Sequence, residues 1–452
     1  MVGMLPVLSL RIPYAERFCR MYEENKDFSM VGFYDFLSPA LMIIEPGLVK
    51  TVLQTNFASF QENHMKVDPK LDPLAVQNPF FLTGEKWMTG RKRLTYAFSS
   101  MRLKILLESV KLVCAGFESF LEKKLGKSVK AELELKNLFS KYTAQVVASA
   151  GFGVDGLCFE EQESKSSFRN ITKDIFKPST RSSFVVTLML LCPPLYKIFG
   201  MSFIPKHADR FFRELVADLM EKRRTENVTR NDFLQLMVEL ERVENDKLDI
   251  EVLAGHAISF VIDGYETSSS VLSFLGFQLA THSEVQEKLR EEIMSVLSRY
   301  NEMTYMDQVI NESQRITAMQ QVMSKVCTTK CELKGSDGLV CSVEPGTLVI
   351  IPAQSLHKDP RYWDNPEVFN PERFSADGKQ NIERFAYLPF GEWPRICIGM
   401  RMALLQIKAC LAVLLRKYSL EFSPRTQVPL KMVPVILLPS AKGGVWVFIR
   451  PL

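Results

Sequence analysis

Residues 385–406 read FAYLPFGEWPRICIGMRMALLQ, a Gly- and Pro-rich loop that delivers one cysteine, Cys397, to the first turn of a long apolar helix. A cysteine at a helix N-terminus has its thiolate stabilised by free backbone N–H groups and by the positive end of the helix dipole. It can then act as a nucleophile or as a metal ligand. A nucleophile wants a partner histidine, and none of the five (His64, His207, His256, His282, His357) stands in a recognisable catalytic setting. Zinc would want further ligands at short spacing, and Cys327, Cys331 and Cys341 lie in strand and turn sequence without a CxxC pair. One thiolate as the only protein ligand suits haem iron.

Three other constellations could do chemistry. Asp263-Gly264-Tyr265-Glu266-Thr267-Ser268 is a polar island in an otherwise apolar stretch. Hydroxyls that bond back to the preceding turn, beside Gly264, can loosen a helix and open a groove, with Thr267 and Glu266 able to hold water and pass protons. The alternative is a kinked helix with satisfied hydroxyls. Glu312 and Arg315 share a helix face, but the same Glu-x-x-Arg spacing recurs at Glu221/Arg224, Glu239/Arg242 and Glu287/Arg290, so spacing alone favours a solvated ion pair. Order distinguishes this copy, which precedes two hairpin-like segments, then Asn370-Pro371-Glu372-Arg373-Phe374, then the cysteine loop. Trp87 and Arg91, one helical turn apart, can point an indole N–H and a guanidinium at one anion, although a surface basic helix with one packed Trp has the same pattern.

The elements that must position these groups are mostly helical. Residues 249–282 are apolar on nearly every face, which predicts a helix buried through the middle of the molecule. At 1.5 Å per residue it would span about 50 Å. Strand signals cluster at 30–47, 331–353 (two hairpins) and 433–449 (a closing hairpin), where β-branched runs are broken by Gly and Pro. The order of strands, many helices, strands, helix, strands predicts a mainly α, α+β fold, with residues 1–452 as one unit without repeats or linkers.

Composition narrows the class. A net charge of +4 with interspersed signs offers no nucleic-acid face. Nine cysteines without a signal peptide fit reduced thiols facing the cytosol. No apolar run reaches the roughly 18–20 residues of a membrane span, and 184–195, which ends in a Pro pair, reads as core or a membrane-dipping loop.

Taken in order, Trp87/Arg91, the Glu266-Thr267 island, Glu312/Arg315 and the Cys397 loop resemble those of the cytochrome P450 haem-thiolate monooxygenases, especially microsomal detoxification-type members, from about residue 5 to the end. The resemblance implies the cytochrome P450 fold, a helical core around haem with a smaller β-rich region. It implies haem b, with Cys397 as the iron ligand and Phe390 packed beside its sulfur. Arg395, Trp87 and Arg91 would bind the propionates, as would Lys325, which stands where an Arg is common. Glu312, Arg315 and Arg373 would form a buried cluster under the cysteine loop, and Thr267 with Glu266 would deliver protons to dioxygen. It further implies electrons from NADPH-cytochrome P450 reductase, with cytochrome b5 as a further donor, and a lipophilic small-molecule substrate. Lys86, Lys92 and Arg93 are candidate reductase contacts. Substrate contacts are expected from 64–81, 184–204, the helix before Thr267, 319–323 and the final hairpin. The implied location is the cytoplasmic face of the endoplasmic reticulum membrane, through peripheral apolar contacts at 185–204.

The chain departs from the family pattern at named positions. In Phe-x-x-Gly-x-Arg-x-Cys-x-Gly the first Gly is Trp393, and a positive φ there would strain a Trp. Ile316-Thr317-Ala318-Met319 replaces a proline-containing segment, and Asp263 replaces a small apolar residue. The family's N-terminal anchor is missing from the sequence, and the connection at 298–309 is short. These departures motivate a rival from another class, a haem-poor homologue that binds or sequesters hydrophobic ligands without turnover. A helical scaffold with inert cysteines is a third reading.

Overall fold

The longest apolar stretch forms the longest helix of the computed structural model, which describes residues 12–160, 168–176, 180–191, 193–225, 230–244, 247–296, 302–434 and 438–452. Five helices position the site: α1 (Gly84–Ala97), α2 (Leu135–Val146), α3 (Ile250–Thr281), α4 (Thr304–Ile316) and α5 (Met400–Lys417). Helix α3 begins where Asp249 caps it, its side chain accepting the Glu251 N–H at 2.8 Å. Its buried residues include Leu253, Ile258, Val261, Leu272, Leu275 and Leu279, on several faces, as all-round hydrophobicity predicts. Truncating Leu272 or Leu275 to Ala would cost about 2–5 kcal/mol.

Several hydroxyls within α3 bond back to the preceding turn, while the buried Ser273 hydroxyl has no partner among the described residues. Ser259 donates to the Gly255 carbonyl at 2.7 Å, Thr267 to Asp263 at 2.5 Å and Ser269 to Tyr265 at 3.0 Å. The helix runs unbroken past Gly264, so the groove expected there is not a break in the helix. Instead, the Gln406 amide of α5 reaches across to the Gly264 carbonyl at 3.4 Å and the Ser268 hydroxyl at 2.8 Å. Near the start of α3, Gly255 allows a close approach: a Cβ there would stand 2.4 Å from that of Gln77. This seats the turn at 74–78 directly on the helix.

Among the described residues ten strands make three small sheets. The largest has the order β1-β2-β8-β5-β3: β1 (Met30–Asp35), β2 (Ser38–Ile43), β8 (Leu348–Ile351), β5 (Met323–Val326) and β3 (Glu62–Asn63). A second sheet has the order β4-β10-β9: β4 (Ala131–Glu134), β10 (Trp446–Pro451) and β9 (Tyr418–Phe422), and β6 (Cys331–Lys334) pairs with β7 (Val340–Val343). The hairpin at 30–47 is present. Only half of the expected double hairpin at 331–353 is: β6 and β7 form one, whereas β8 leaves to pair in parallel with β2 and antiparallel with β5. A strand whose residues are all buried belongs in the middle of a sheet rather than in a solvated hairpin. Among its described residues the closing segment forms one bridge, Met432 to Ala441, and β10 pairs with β4 and β9. Part of that segment, 435–437, lies outside the described residues, as does 298–301 of the short connection.

One continuous apolar cluster runs from Tyr14 to Ile449. Within 184–195, Val185, Val186, Leu188 and Met189 are buried in it, while Phe184 and Leu195 are exposed. Among the described residues no helix is long and apolar enough to cross a membrane. About 56% helix with small sheets agrees with the mainly α, α+β reading.

Candidate functional site

The cysteine loop turns at Gly391, whose φ of 72° is a conformation that favours glycine. Gly391 N–H donates to the Leu388 carbonyl at 3.2 Å, and Cys397 N–H to the Phe390 carbonyl at 2.8 Å. Trp393 does not carry a positive φ. The strain expected from the family pattern is therefore absent, because the left-handed position of this loop falls on Gly391. Trp393 is 59% exposed, with the Arg91 guanidinium 5.7 Å from its ring.

Helix α5 starts later than the sequence suggested. Its N-cap is Gly399, so Cys397 sits just ahead of the helix rather than in its first turn. The Gly399 and Met400 N–H groups nevertheless bond to the sulfur. Burial outweighs them and pushes the thiol up to about 11. A thiol with that pKa is a poor nucleophile at neutral pH. Among the described residues no group of three His, Cys, Asp or Glu side chains could hold a metal ion. The nucleophile and zinc alternatives therefore lose support together, and a cation brought from outside is what would hold the sulfur ionised.

Cys397 has accessible surface although surrounding protein desolvates it almost fully. Asp263 has the same two properties, and its charge raises the Cys397 thiol. Accessible surface on two deeply enclosed side chains whose charges interact implies an enclosed space between α3 and the cysteine loop that both of them border. Thr267 lies one turn after Asp263 on the same face of α3. Glu266 is turned toward α2, where its carboxylate meets Lys136 Nζ at 2.9 Å. Lys136 also donates to the Ser269 and Ser270 hydroxyls at 2.6 and 2.9 Å. The adjacent pair read from the sequence is thus split between two faces of the helix.

Three cations converge beside the loop. Arg395 lies 4.4 Å over the Trp87 ring, with its outer nitrogens on the Pro79 and Leu82 carbonyls at 2.9 and 2.8 Å. Its buried Nε has no partner. Arg91 donates to the Ile396 carbonyl at 2.9 Å, one residue before the cysteine. Lys325 on β5 is 3% exposed, faces Asn63 on β3 and donates to its Oδ1 at 2.8 Å. Burial, with Arg395 nearby, pushes Lys325 down to about 7; burial, with Arg91 nearby, pushes Arg395 down to about 10. None of the three makes an ion pair among the described residues. Uncompensated, partly dry positive charge with an orphan donor is a site built for a dianion, so the residues fit the two propionates of haem b.

The charge cluster beneath the loop is closed. Arg315 grips Glu312 through two bonds of 2.8 Å, both side chains wholly buried, and Arg373 lies 3.4 Å from the same carboxylate. Glu312 also accepts the Asn370 N–H at 3.0 Å. Sequence reasoning missed how this cluster reaches the cysteine. Arg315 donates to the His357 carbonyl at 2.9 Å, and the His357 Nε2 accepts the Leu388 N–H, at the start of the loop, at 2.8 Å. No local motif marks His357; its burial beside the loop exists only in the folded chain. Asn78, the partner of Asp263, was missed for the same reason.

A family model for cytochrome P450 matches residues 4–447. The chain is 32% identical to cytochrome P450 6a2 of Drosophila melanogaster over 93% of its own length and 86% of the relative's. It is 30% identical to cytochrome P450 9e2 of Blattella germanica over 98% and 90% of the two chains, and 32% identical to cytochrome P450 3A13 of Mus musculus over 95% and 86%. A lone cysteine sulfur on the wall of an internal cavity, a dianion cradle beside it and this whole-length similarity lead to one conclusion: the chain belongs to the cytochrome P450 family of haem-thiolate monooxygenases.

Proposed function

We propose that this protein inserts one atom of dioxygen into a lipophilic small molecule, using electrons from NADPH passed by a flavoprotein reductase, with cytochrome b5 as a further donor. What supports the reading is that Cys397 and Asp263, each enclosed yet accessible, interact across the space between the cysteine loop and α3, with Thr267 one turn after Asp263. In this family the thiolate-ligated haem is known to supply the activation of dioxygen, its sulfur donating electron density that favours O–O cleavage. The chain's part is to hold and orient. Cys397 would ligate the iron; Arg91, Arg395 and Lys325, with Trp87 stacked beneath Arg395, would take the propionates; Phe390 fixes the cysteine by its backbone carbonyl.

Thr267 Oγ1 now donates to the Asp263 carbonyl, so delivering a proton requires its hydroxyl to rotate into the cavity. Glu266 is the proton reservoir, and its carboxylate must leave Lys136 Nζ before it can recharge Thr267. The reductase would dock on the cysteine side. Lys86 and Lys92 are exposed there, whereas Arg93 is half-buried and engaged with Glu244 at 3.5 Å, which leaves it a poor contact. Exposed Ile198 and Phe199 favour peripheral attachment to the endoplasmic reticulum membrane. The departure that most favoured a haem-poor protein, Trp393, costs no backbone strain, and no observation supports that rival. The deciding experiment is the reduced, carbon-monoxide-bound absorption spectrum of the haem-supplied protein. A thiolate-type Soret band is expected; a histidine-type band, or no haem, would overturn the reading.

A further inference from the structure

The α3 wall of the cavity carries a side chain that holding haem and delivering protons do not use. Asp263 stands one turn before Thr267, and both of its carboxylate oxygens rest on a single neutral group, the Asn78 Nδ2, at 3.2 and 3.1 Å. The Asn78 amide is fixed in that orientation. Its Oδ1 takes the Phe80 N–H at 2.8 Å, and the residue is 1% exposed. The turn bearing it is seated on α3 by the close approach at Gly255. No Lys, Arg or His pairs with Asp263 among the described residues. The charge that it affects, the Cys397 sulfur, has the same sign when ionised.

A carboxylate in a desolvated wall without a counter-ion is costly to keep ionised, and burial accordingly pushes Asp263 up to about 7. A ligand that brings a positive charge removes that cost. The turn that carries Asn78 also carries Phe80 and Phe81, and Phe81 lies edge-on to Phe203 at 6.4 Å. Aromatic side chains on the turn that fixes the carboxylate suit a body that is apolar and a head that is cationic.

We propose that Asp263, held in place by Asn78, is a specificity-determining residue that docks the protonated amine of an otherwise lipophilic substrate. The proposal rests on the monooxygenase reading above and names the substrate class for that site.

The test compares two matched probes, N,N-dimethyl-4-phenylbutylamine and its carbon isostere (5-methylhexyl)benzene, binding to haem-loaded protein by calorimetry at about pH 8, where amine and carboxylate are both mainly ionised. Asp263→Asn is expected to weaken the amine about tenfold, equivalent to about 1.4 kcal/mol, while leaving the isostere within about threefold. Asp263→Ala, which removes the amide as well, should reproduce the loss if D263N loads poorly, and Asn78→Ala should give a smaller loss of the same selectivity. Amine affinity within about threefold of wild type in both Asp263 variants, or equal weakening of both probes, overturns the proposal. Failure of the parent reading is separately visible: that protein would lack the thiolate-type band, whereas failure of this proposal leaves the band intact.

Discussion

Two groups of buried charge flank the cysteine loop, and they are built on opposite rules. Glu312, Arg315 and Arg373 form a closed set in which the carboxylate has two cations and a backbone N–H, and Arg315's remaining donors end on the His357 and Pro366 carbonyls. Arg91, Arg395 and Lys325 form an open set, three cations with no ion pair among the described residues; each set keeps an orphan guanidinium N–H, the Arg373 Nε in the first and the Arg395 Nε in the second, so pairing of charge is what separates them. A closed set spends its charge on fixing backbone; an open one is incomplete until a ligand arrives. The same residue types therefore have opposite consequences for stability, and this contrast can be broken experimentally.

The largest effect belongs to the closed set. Glu312→Ala leaves Arg315 buried without a partner and should destabilise the protein by about 3–5 kcal/mol in denaturant unfolding. A loss of under about 1 kcal/mol, the size expected of a surface pair, would mean that the cluster is not closed.

His357 sharpens the comparison through pH. Its Nε2 accepts a hydrogen bond, so the ring is neutral, and burial, with Arg315 nearby, pushes its pKa down to about 3. The unfolded chain takes up a proton near 6.5 and the folded one does not. The stability it contributes is therefore complete above about pH 6.5 and is lost progressively toward about pH 3, by about 1.4 kcal/mol per pH unit. His357→Gln should flatten the acid limb of a stability–pH curve between those limits. An unchanged slope would assign the acid sensitivity to other groups.

The open set should respond in two directions at once. Lys325→Met is expected to weaken haem retention about tenfold, or about 1.4 kcal/mol, in a haem-transfer assay. It should also raise the thermal stability of the haem-free chain, since a lysine held down to about 7 opposes folding as pH falls below its ordinary value, and most fully below about pH 7. Loss of stability in both forms would place Lys325 in the closed class. The smallest effect is Trp393→Gly. With no positive φ to relieve, haem content should stay the same and stability should move by no more than about 0.5 kcal/mol. A rise in haem occupancy would revive the strain argument.

Much of this architecture was legible before folding. Helix α3 was readable to within a residue at each end, because an all-apolar run and an Asp cap are local signals. The hairpin at 30–47 was equally local, closing over two residues. Strand β8 was misread because its partners, β2 and β5, are chosen by burial rather than by a turn. The cysteine's helix was readable, but its starting residue was not, since Gly399 caps it without a side chain. The Glu266-Thr267 pair was found, yet its division between α2 and the cavity depends on Lys136, 130 residues earlier.

The sequence by itself determined the kinds of group available: a lone cysteine ahead of a helix, a long buried rod with hydroxyls at one point, and a Glu-x-x-Arg pair before the loop. Residue type and short spacing are local quantities, and they survive in an unfolded chain. Only the tertiary structure decided which charges are balanced, that His357 ties the charge cluster to the loop, and that Asn78 meets Asp263 across 185 residues. Coulomb forces and desolvation act through space and depend on what surrounds each group, so their outcome is settled when the chain closes around them.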